Sequence, residues 1–490
     1  MTISFNSIPI NLLVPGSYGE FDNSKATRGT PAMPNRIVVI AQRLASGTVA
    51  AGVPTLILSP DRAVQAFGRG SMLATSLQAL KAANKYTEVW GIALDDNPAG
   101  NAAQGSVAFT AQATVNGTFT LYIGATPVQI AVLTTDTPAQ LATKLAAAIA
   151  ALPDLIVTGA VDGAVAAKVN ITFRHKGLAG NDLDLRTHLY QGDEAPVGLA
   201  WTLVAMTGGT ANPSLAPAIA AAGDVWYTHW IVPYNDGVST TALATELDRR
   251  FGPLTQIDGR GYTYVNGTVG TAAALGAGLN TQHITVFGTI LSPTPGWILA
   301  AVEGAIAAYN LNIDPARPLT TLQLPGVIAP AQADRPINTD RQFLLQNGIS
   351  TFTVDDGGNV LIERVVTTYK TNAYGLPDPS YRDIQVLATL SFLRYSFRAR
   401  VTQRFPRYKL ADDDTRIPAG QATVRPKDIR NELIALAHDW EGIYIEDAQA
   451  FAAALIVERD DNDPNRVNIL EVPNLINMLL VFAGKFQFVN

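Results

Sequence analysis

Residues 225–290 read VWYTHWIVPYNDGVSTTALATELDRRFGPLTQIDGRGYTYVNGTVGTAAALGAGLNTQHITVFGTI. Apolar runs of strand length at 225–232, 261–266 and 284–290 alternate with helix-period stretches at 240–251 and 271–279. Strands alternating with helices predict a mostly parallel sheet covered on both faces. A further helix over 297–309 is opened by Pro295. The same rhythm stands near the start of the chain. Residues 36–41 (RIVVIA) predict a strand, 61–67 and 71–84 two helices, and 88–94 another strand. It stops at Asp95-Asp96-Asn97-Pro98. Residues 21–97 and 209–334 therefore read as one α/β domain split by an insertion.

The insertion, 98–208, has another texture. Strands at 107–114 and 118–123 flank Asn116-Gly117, a strong hairpin signal, and another strand follows at 128–133. A helix over 137–151 is capped by Thr137 with Pro138 at its first position. Further strands lie near 156–158 and 169–174, making a β-rich module expected on the outside of its host. Residues 335–476 read as an α+β domain. It has a hairpin across Asp355-Asp356-Gly357-Gly358 and amphipathic helices near 383–400 and 428–440. The fold class is thus α/β plus α+β, multidomain, with extended arms at 1–20 and 477–490.

Those arms are apolar. Met478, Leu480, Phe482, Phe486 and Phe488 alternate onto one face of a predicted terminal strand, opposite Leu479, Val481 and Val489. At the other end, Ile3, Phe5, Ile8, Ile10, Leu12 and Val14 precede Pro15-Gly16, and Pro9 allows only an edge strand. An unpaired apolar strand either enters its own sheet or pairs with another chain.

Composition narrows the function. Of 490 residues 47% are apolar and 16% charged, which leaves much uncharged surface for neighbours to cover, although alanine-rich cores read the same way. A net charge of −6 argues against a nucleic-acid partner. Zero cysteines exclude disulfides, zinc–thiolate sites and cysteine nucleophiles. The start lacks the features of a secretory signal, and the apolar stretch 296–308 is short and broken by Glu303. A cytoplasmically made protein without membrane insertion is expected.

Catalytic patterns are missing. The chain has no G-x-x-x-x-G-K-[ST], H-E-x-x-H or G-x-S-x-G. Its five histidines, His175, His188, His229, His283 and His438, show no metal-ligand spacing, and a lone histidine beside aromatics, such as His229, is expected at a packed core position. Gly270–Gly278 lacks dinucleotide-loop spacing, and the Asp412–Asp414 run lacks the glycine and distal glutamate of an EF-hand. No cofactor, metal or catalytic residue is expected. One charge feature stands out: Arg394, Arg398, Arg400, Arg404, Arg407 and Lys409. It reads either as a solvated helix face paired with nearby aspartates or as an electrostatic docking surface.

Several motifs, in order, resemble the tail sheath proteins of contractile-tailed bacteriophages, with ends similar to the Mu-like branch. Ile8–Asp22 (IPINLLVPGSYGEFD) is similar to the family's opening, and 319–330 (LTTLQLPGVIAP) to the entry into its C-terminal domain. Asn347-Gly348-Ile349 followed by 362–369 (IERVVTTY) is the most specific match. Residues 443–459 and the closing strand resemble the family's end. The resemblance implies a non-enzymatic subunit stacking as hexameric rings around a tail tube and contracting to drive that tube through a host envelope. It further implies arms that complete a sheet in neighbouring C-terminal domains. Baseplate and tail terminator proteins would be partners, the virion tail the location, and host cytoplasm the site of assembly. Arg394, Arg398, Arg400 and Arg404 become candidates for docking on the tube. The competing expectation is an α/β enzyme binding a nucleotide or small molecule at its strand ends.

Overall fold

The computed structural model describes residues 8–9, 12–20, 31–190 and 192–489. The chain forms two compact units. Of the described residues, the larger holds those within Pro34–Ser391, Gly442–Glu446 and Asn474–Asn490, and the smaller those within Met1–Met33, Phe392–Glu441 and Asp447–Pro473.

The larger unit begins with strand β1 (Arg36–Gln42), whose last six residues are buried as its apolar run requires. Strand β2 (Thr55–Leu56) and helices α1 (Pro60–Phe67) and α2 (Met72–Ala83) lead to β3 (Glu88–Leu94). Both helices start on serine caps: Ser59 accepts from the Arg62 amide and Ser71 from the Ala74 amide. Close approach explains Gly91, where a Cβ would lie 2.6 Å from the Phe67 ring.

The insertion comprises β4 (Ala102–Ala111), β5 (Gly117–Ile123), β6 (Thr126–Val132), α3 (Pro138–Ala150), β7 (Val157–Val161), β8 (Lys168–Lys176), β9 (Leu185–Arg186) and β10 (Ala200–Thr207). They form two sheets, ordered β10-β4-β8-β7 and β6-β5-β9. Leu141, Ala142, Leu145 and Ile149 of α3 are buried, and Phe119 stacks edge-on against both Phe109 and Trp201. The expected hairpin across Asn116-Gly117 does not form. Its first strand pairs instead with β8 and β10, while β5 turns into β6 at Gly124-Ala125. Gly124 supplies the positive φ (59°) that such a tight turn needs, whereas the Asn116 side chain accepts from the Thr134 amide.

Beyond the insertion come α4 (Ala216–Ala222), β11 (His229–Ile231), α5 (Gly237–Phe251), β12 (Arg260–Val265), α6 (Val269–Ala277), β13 (Ile284–Gly288) and α7 (Gly296–Ile313). β14 (Gln323–Ile328), α8 (Asn338–Gln346), β15 (Ile349–Val354), β16 (Asn359–Arg364) and α9 (Ile384–Arg404) follow. One nine-stranded sheet results, ordered β14-β16-β15-β13-β12-β11-β1-β3-β2. Its six central strands are parallel, and antiparallel pairings occupy the edges. α7 is buried nearly all round, and its Gly296 lets Tyr264 approach within 2.0 Å of where a Cβ would stand. The sheet runs past residue 334, because β15 pairs in parallel with β13. By packing, β15 and β16 therefore belong with the α/β body.

In the smaller unit, β17 (Lys409–Leu410) pairs in parallel with β18 (Thr423–Val424), and α10 (Pro426–Trp440) and α11 (Ala448–Ala454) lead into the β19 (Ile456–Arg459) and β20 (Val467–Leu470) hairpin. The stripe Ile429, Leu433, Leu436, Ala437 and Trp440 is buried. Trp440 packs edge-on against Phe451 and donates to the Ser396 hydroxyl at 3.1 Å.

Candidate assembly interface

The C-terminal arm shows what its alternating sequence becomes without a partner. Residues 476–489 belong to no strand. A strand needs a ladder to pair with, so the residues of the expected terminal strand join no sheet among the described residues. Phe482, Phe486 and Phe488 are 87%, 96% and 86% exposed, and Val481 and Val489 on the opposite face are exposed too. Covering one such phenylalanine is worth about 1.5–3 kcal/mol, so a bare arm of this kind is a large unused source of association energy. Met478 and Leu480, nearer the root, are half-buried.

At the other end Leu12, Leu13 and Val14 are exposed and Ile8 is half-buried. The Leu12 amide donates to Pro9 O at 3.2 Å, a turn that interrupts any strand there. Ile10, with Ile3 and Phe5, lies outside the described residues.

The arginines of α9 are held from within the smaller unit. Arg400 bonds Glu432 Oε1 at 3.0 Å and also pairs with Asp439; Arg404 bonds the same Glu432 oxygen at 2.8 Å. Burial would raise the Glu432 carboxyl, but the bonds from Arg404 and Arg400 outweigh it and hold the group below the usual range. Arg394 and Arg398 are not free either. The aspartates expected as partners pair elsewhere: Asp412 with Arg459 at 2.7 Å, and Asp413 with the Lys427 amide at 2.9 Å. The signal for Glu432 and Asp439 was available in their spacing, one per two turns on a helix next to the arginine-rich one.

A doubly wound sheet offers ligands a crevice beyond the carboxyl ends of its strands. Here the insertion fills that place. At the end of β1, Gln42 donates to Asp96 Oδ1 (2.6 Å) and to Lys176 O (2.7 Å). The fully buried His175 accepts from the Met72 amide at Nε2 (3.0 Å), so its proton sits on Nδ1, 3.2 Å from Asp96 Oδ1. Burial would raise the Asp96 carboxyl; the bonds from His175, the Lys176 amide and Gln42 hold it below its ordinary value. Near the end of β12, Tyr264 donates to Asp182 Oδ2 at 3.1 Å, and burial pushes that carboxyl up to about 6. Phe173 of the insertion stacks edge-on against Trp297 of α7, centroids 5.5 Å apart. The pairing of these polar residues went unread in the sequence, since no periodicity links positions so far apart. His175 is a packed core histidine. Among the described residues, no three His, Asp or Glu side chains gather as metal ligands would, and no helix is long and apolar enough to cross a membrane.

Comparison with known proteins supplies the family. The profile described as phage tail sheath protein central domain matches residues 208–368, and that of the phage tail sheath C-terminal domain matches 377–489. A Mu-like prophage FluMu tail sheath protein of Haemophilus influenzae is 40% identical over 491 residues, covering 100% of both chains. Solved structures similar in fold include the sheath tail protein of Desulfitobacterium hafniense (14% identity, TM-score 0.48, 94% of this chain and 100% of that one). Another is the sheath tail protein of Listeria innocua (15% identity, TM-score 0.45, 91% and 96%). The chain belongs to the phage tail sheath proteins, on their Mu-like branch.

Proposed function

We propose that this chain is the repeating, non-enzymatic subunit of a contractile sheath, stacked as hexameric rings around a tail tube in the virion. Contraction of that polymer drives the tube through the host envelope. The observation that carries the reading is the C-terminal arm, apolar on both faces and unpaired within its own subunit. A neighbour's arm can add its backbone to the edge of a short sheet such as the β19–β20 hairpin, and backbone pairing tolerates movement of the bodies it links. Fifteen extended residues reach on the order of 50 Å, enough to hold neighbours through a large rearrangement. Assembly in host cytoplasm, with tube, baseplate and terminator proteins as partners, follows from the same reading. The α9 face carrying Arg394 and Arg398 is the part we assign to the tube, with Arg400 and Arg404 tying that helix to α10.

Deleting residues 478–490 tests the proposal. The truncated chain should melt within a few degrees of the full chain, because the removed side chains lie mostly outside the core, and it should form no tubes by negative-stain microscopy. Tubes indistinguishable from those of the full chain would refute the arm's role. An enzymatic reading has less support, because the crevice it needs is filled by His175, Lys176 and Asp182 of the insertion.

A further inference from the structure

The arm has a definite root. After Pro473 the chain lies antiparallel to a short segment, Gly442–Glu446, and that segment and the arm both group with the larger unit although the residues between them group with the smaller one. Ile445 and Leu475 form a β-bridge. The Glu446 amide donates to Asn474 O at 2.9 Å and the Ile476 amide to Tyr444 O at 3.0 Å. The Glu446 carboxylate then closes over the outside of this pair. It accepts from Asn474 Nδ2 at 2.9 Å and from Asn477 Nδ2 at 3.0 Å. Ile445 is wholly buried and anchors the segment.

Beyond Asn477 no hydrogen bond holds the chain among the described residues. Met478 and Leu480 border a cavity of about 410 Å³ shared with Arg364, Asp383, Gln385 and Thr389. Arg364 and Asp383 hold each other through two parallel bonds of 2.7 and 2.8 Å, so that wall is rigid. The buried Gln385 Oε1 has no partner among the described residues. Space of this size beside two flexible apolar side chains lets the arm repack there without disturbing its root.

We infer that Glu446 is a latch that fixes the direction in which the arm leaves the subunit, and that the arm pivots between Asn477 and Met478. Resting on the sheath reading, this assigns a load path: a pull by a neighbour on residues 478–490 enters the larger unit through Tyr444–Glu446 and does not load the β19–β20 hairpin. Glu446 is a positioning residue; it need not touch the neighbour.

Two measurements separate the latch from the sheath reading. In the dispersed full-length subunit, Glu446→Ala should raise hydrogen exchange at the Ile476 amide roughly fivefold, a modest factor because the carboxylate is exposed and its two bonds compete with water. Asn474→Ala with Asn477→Ala changes only exposed side chains and should give the same increase if Glu446→Ala folds poorly. In tubes, either variant should still polymerise but with a helical twist that is broader or shifted relative to the parent chain. Unchanged exchange at Ile476 in both variants overturns the latch, whatever the tubes do. Raised exchange with tubes of parent-like helical order overturns its role in aiming the arm. Failure of the parent chain to form tubes overturns the sheath reading alone and leaves the exchange result to decide the latch.

Discussion

At the scale of single residues, a half-buried acid sits where insertion meets body. Asp182 is held by the Tyr264 hydroxyl, yet burial lifts its carboxyl from 3.8 to about 6. The folded state therefore keeps a proton that the unfolded chain has released between those two values. Stability is greatest below the unfolded value and falls as pH rises through about 6, by about 3 kcal/mol in total if the shift is expressed in full. Glu303, fully buried in α7 with neither oxygen partnered among the described residues, adds to the same slope because burial raises it well above its ordinary value. Asp182→Asn keeps an acceptor for Tyr264 and removes the charge. Urea unfolding from pH 4 to 7 should show the parent chain losing stability relative to this variant, and parallel curves would show that Asp182 does not titrate on folding.

At the scale of elements, the pairing of α9 with α10 decides what the arginines do. Glu432 has an exposed side-chain fraction of only 17% and Arg400 of 10%, so their bond is better shielded than a surface ion pair. Removing Arg400 leaves Glu432 with Arg404 alone. A double-mutant cycle of Arg400→Ala and Glu432→Ala should give a coupling of about 1–2 kcal/mol in thermal or denaturant unfolding. A coupling near zero would return Arg400 to the pool of charges available to a partner. The insertion teaches a related lesson about strands. Asn116-Gly117 has the chemistry of a hairpin turn, but Gly124 takes that role because the β-strand before Asn116 finds its partners in β8 and β10. Turn propensity is local, whereas strand pairing is settled by which apolar faces can be buried together.

For the molecule as a whole, the insertion is built into its host. Its ends meet at the Asn101–Thr210 bridge, so it can be excised without stretching the chain. With its own core, centred on Phe109, Phe119 and Trp201 with α3, residues 98–208 expressed alone should melt cooperatively, and a disordered product would count against that boundary. The body would fare worse. Replacing 98–208 by a short glycine–serine linker strips Asp96 and Gln42 of His175 and Lys176, and exposes Trp297. Each stranded polar partner costs about 1–3 kcal/mol. The linker protein should therefore unfold at clearly lower denaturant than the full chain, and an unchanged midpoint would mean the insertion is only an outer appendage. The sequence by itself determined the β-α-β alternation of the body, the buried stripe of α10 and the apolar alternation of the arm, because each follows from side-chain period over a few residues. Tertiary structure alone decided that β15 extends the body's sheet, that His175 and Asp96 lock the insertion in place, that Glu432 captures Arg400 and Arg404, and that residues 476–489 pair with no strand among the described residues. Those outcomes depend on contacts between residues tens to hundreds of positions apart, and the period of a sequence carries no record of which distant surface will be there to meet it.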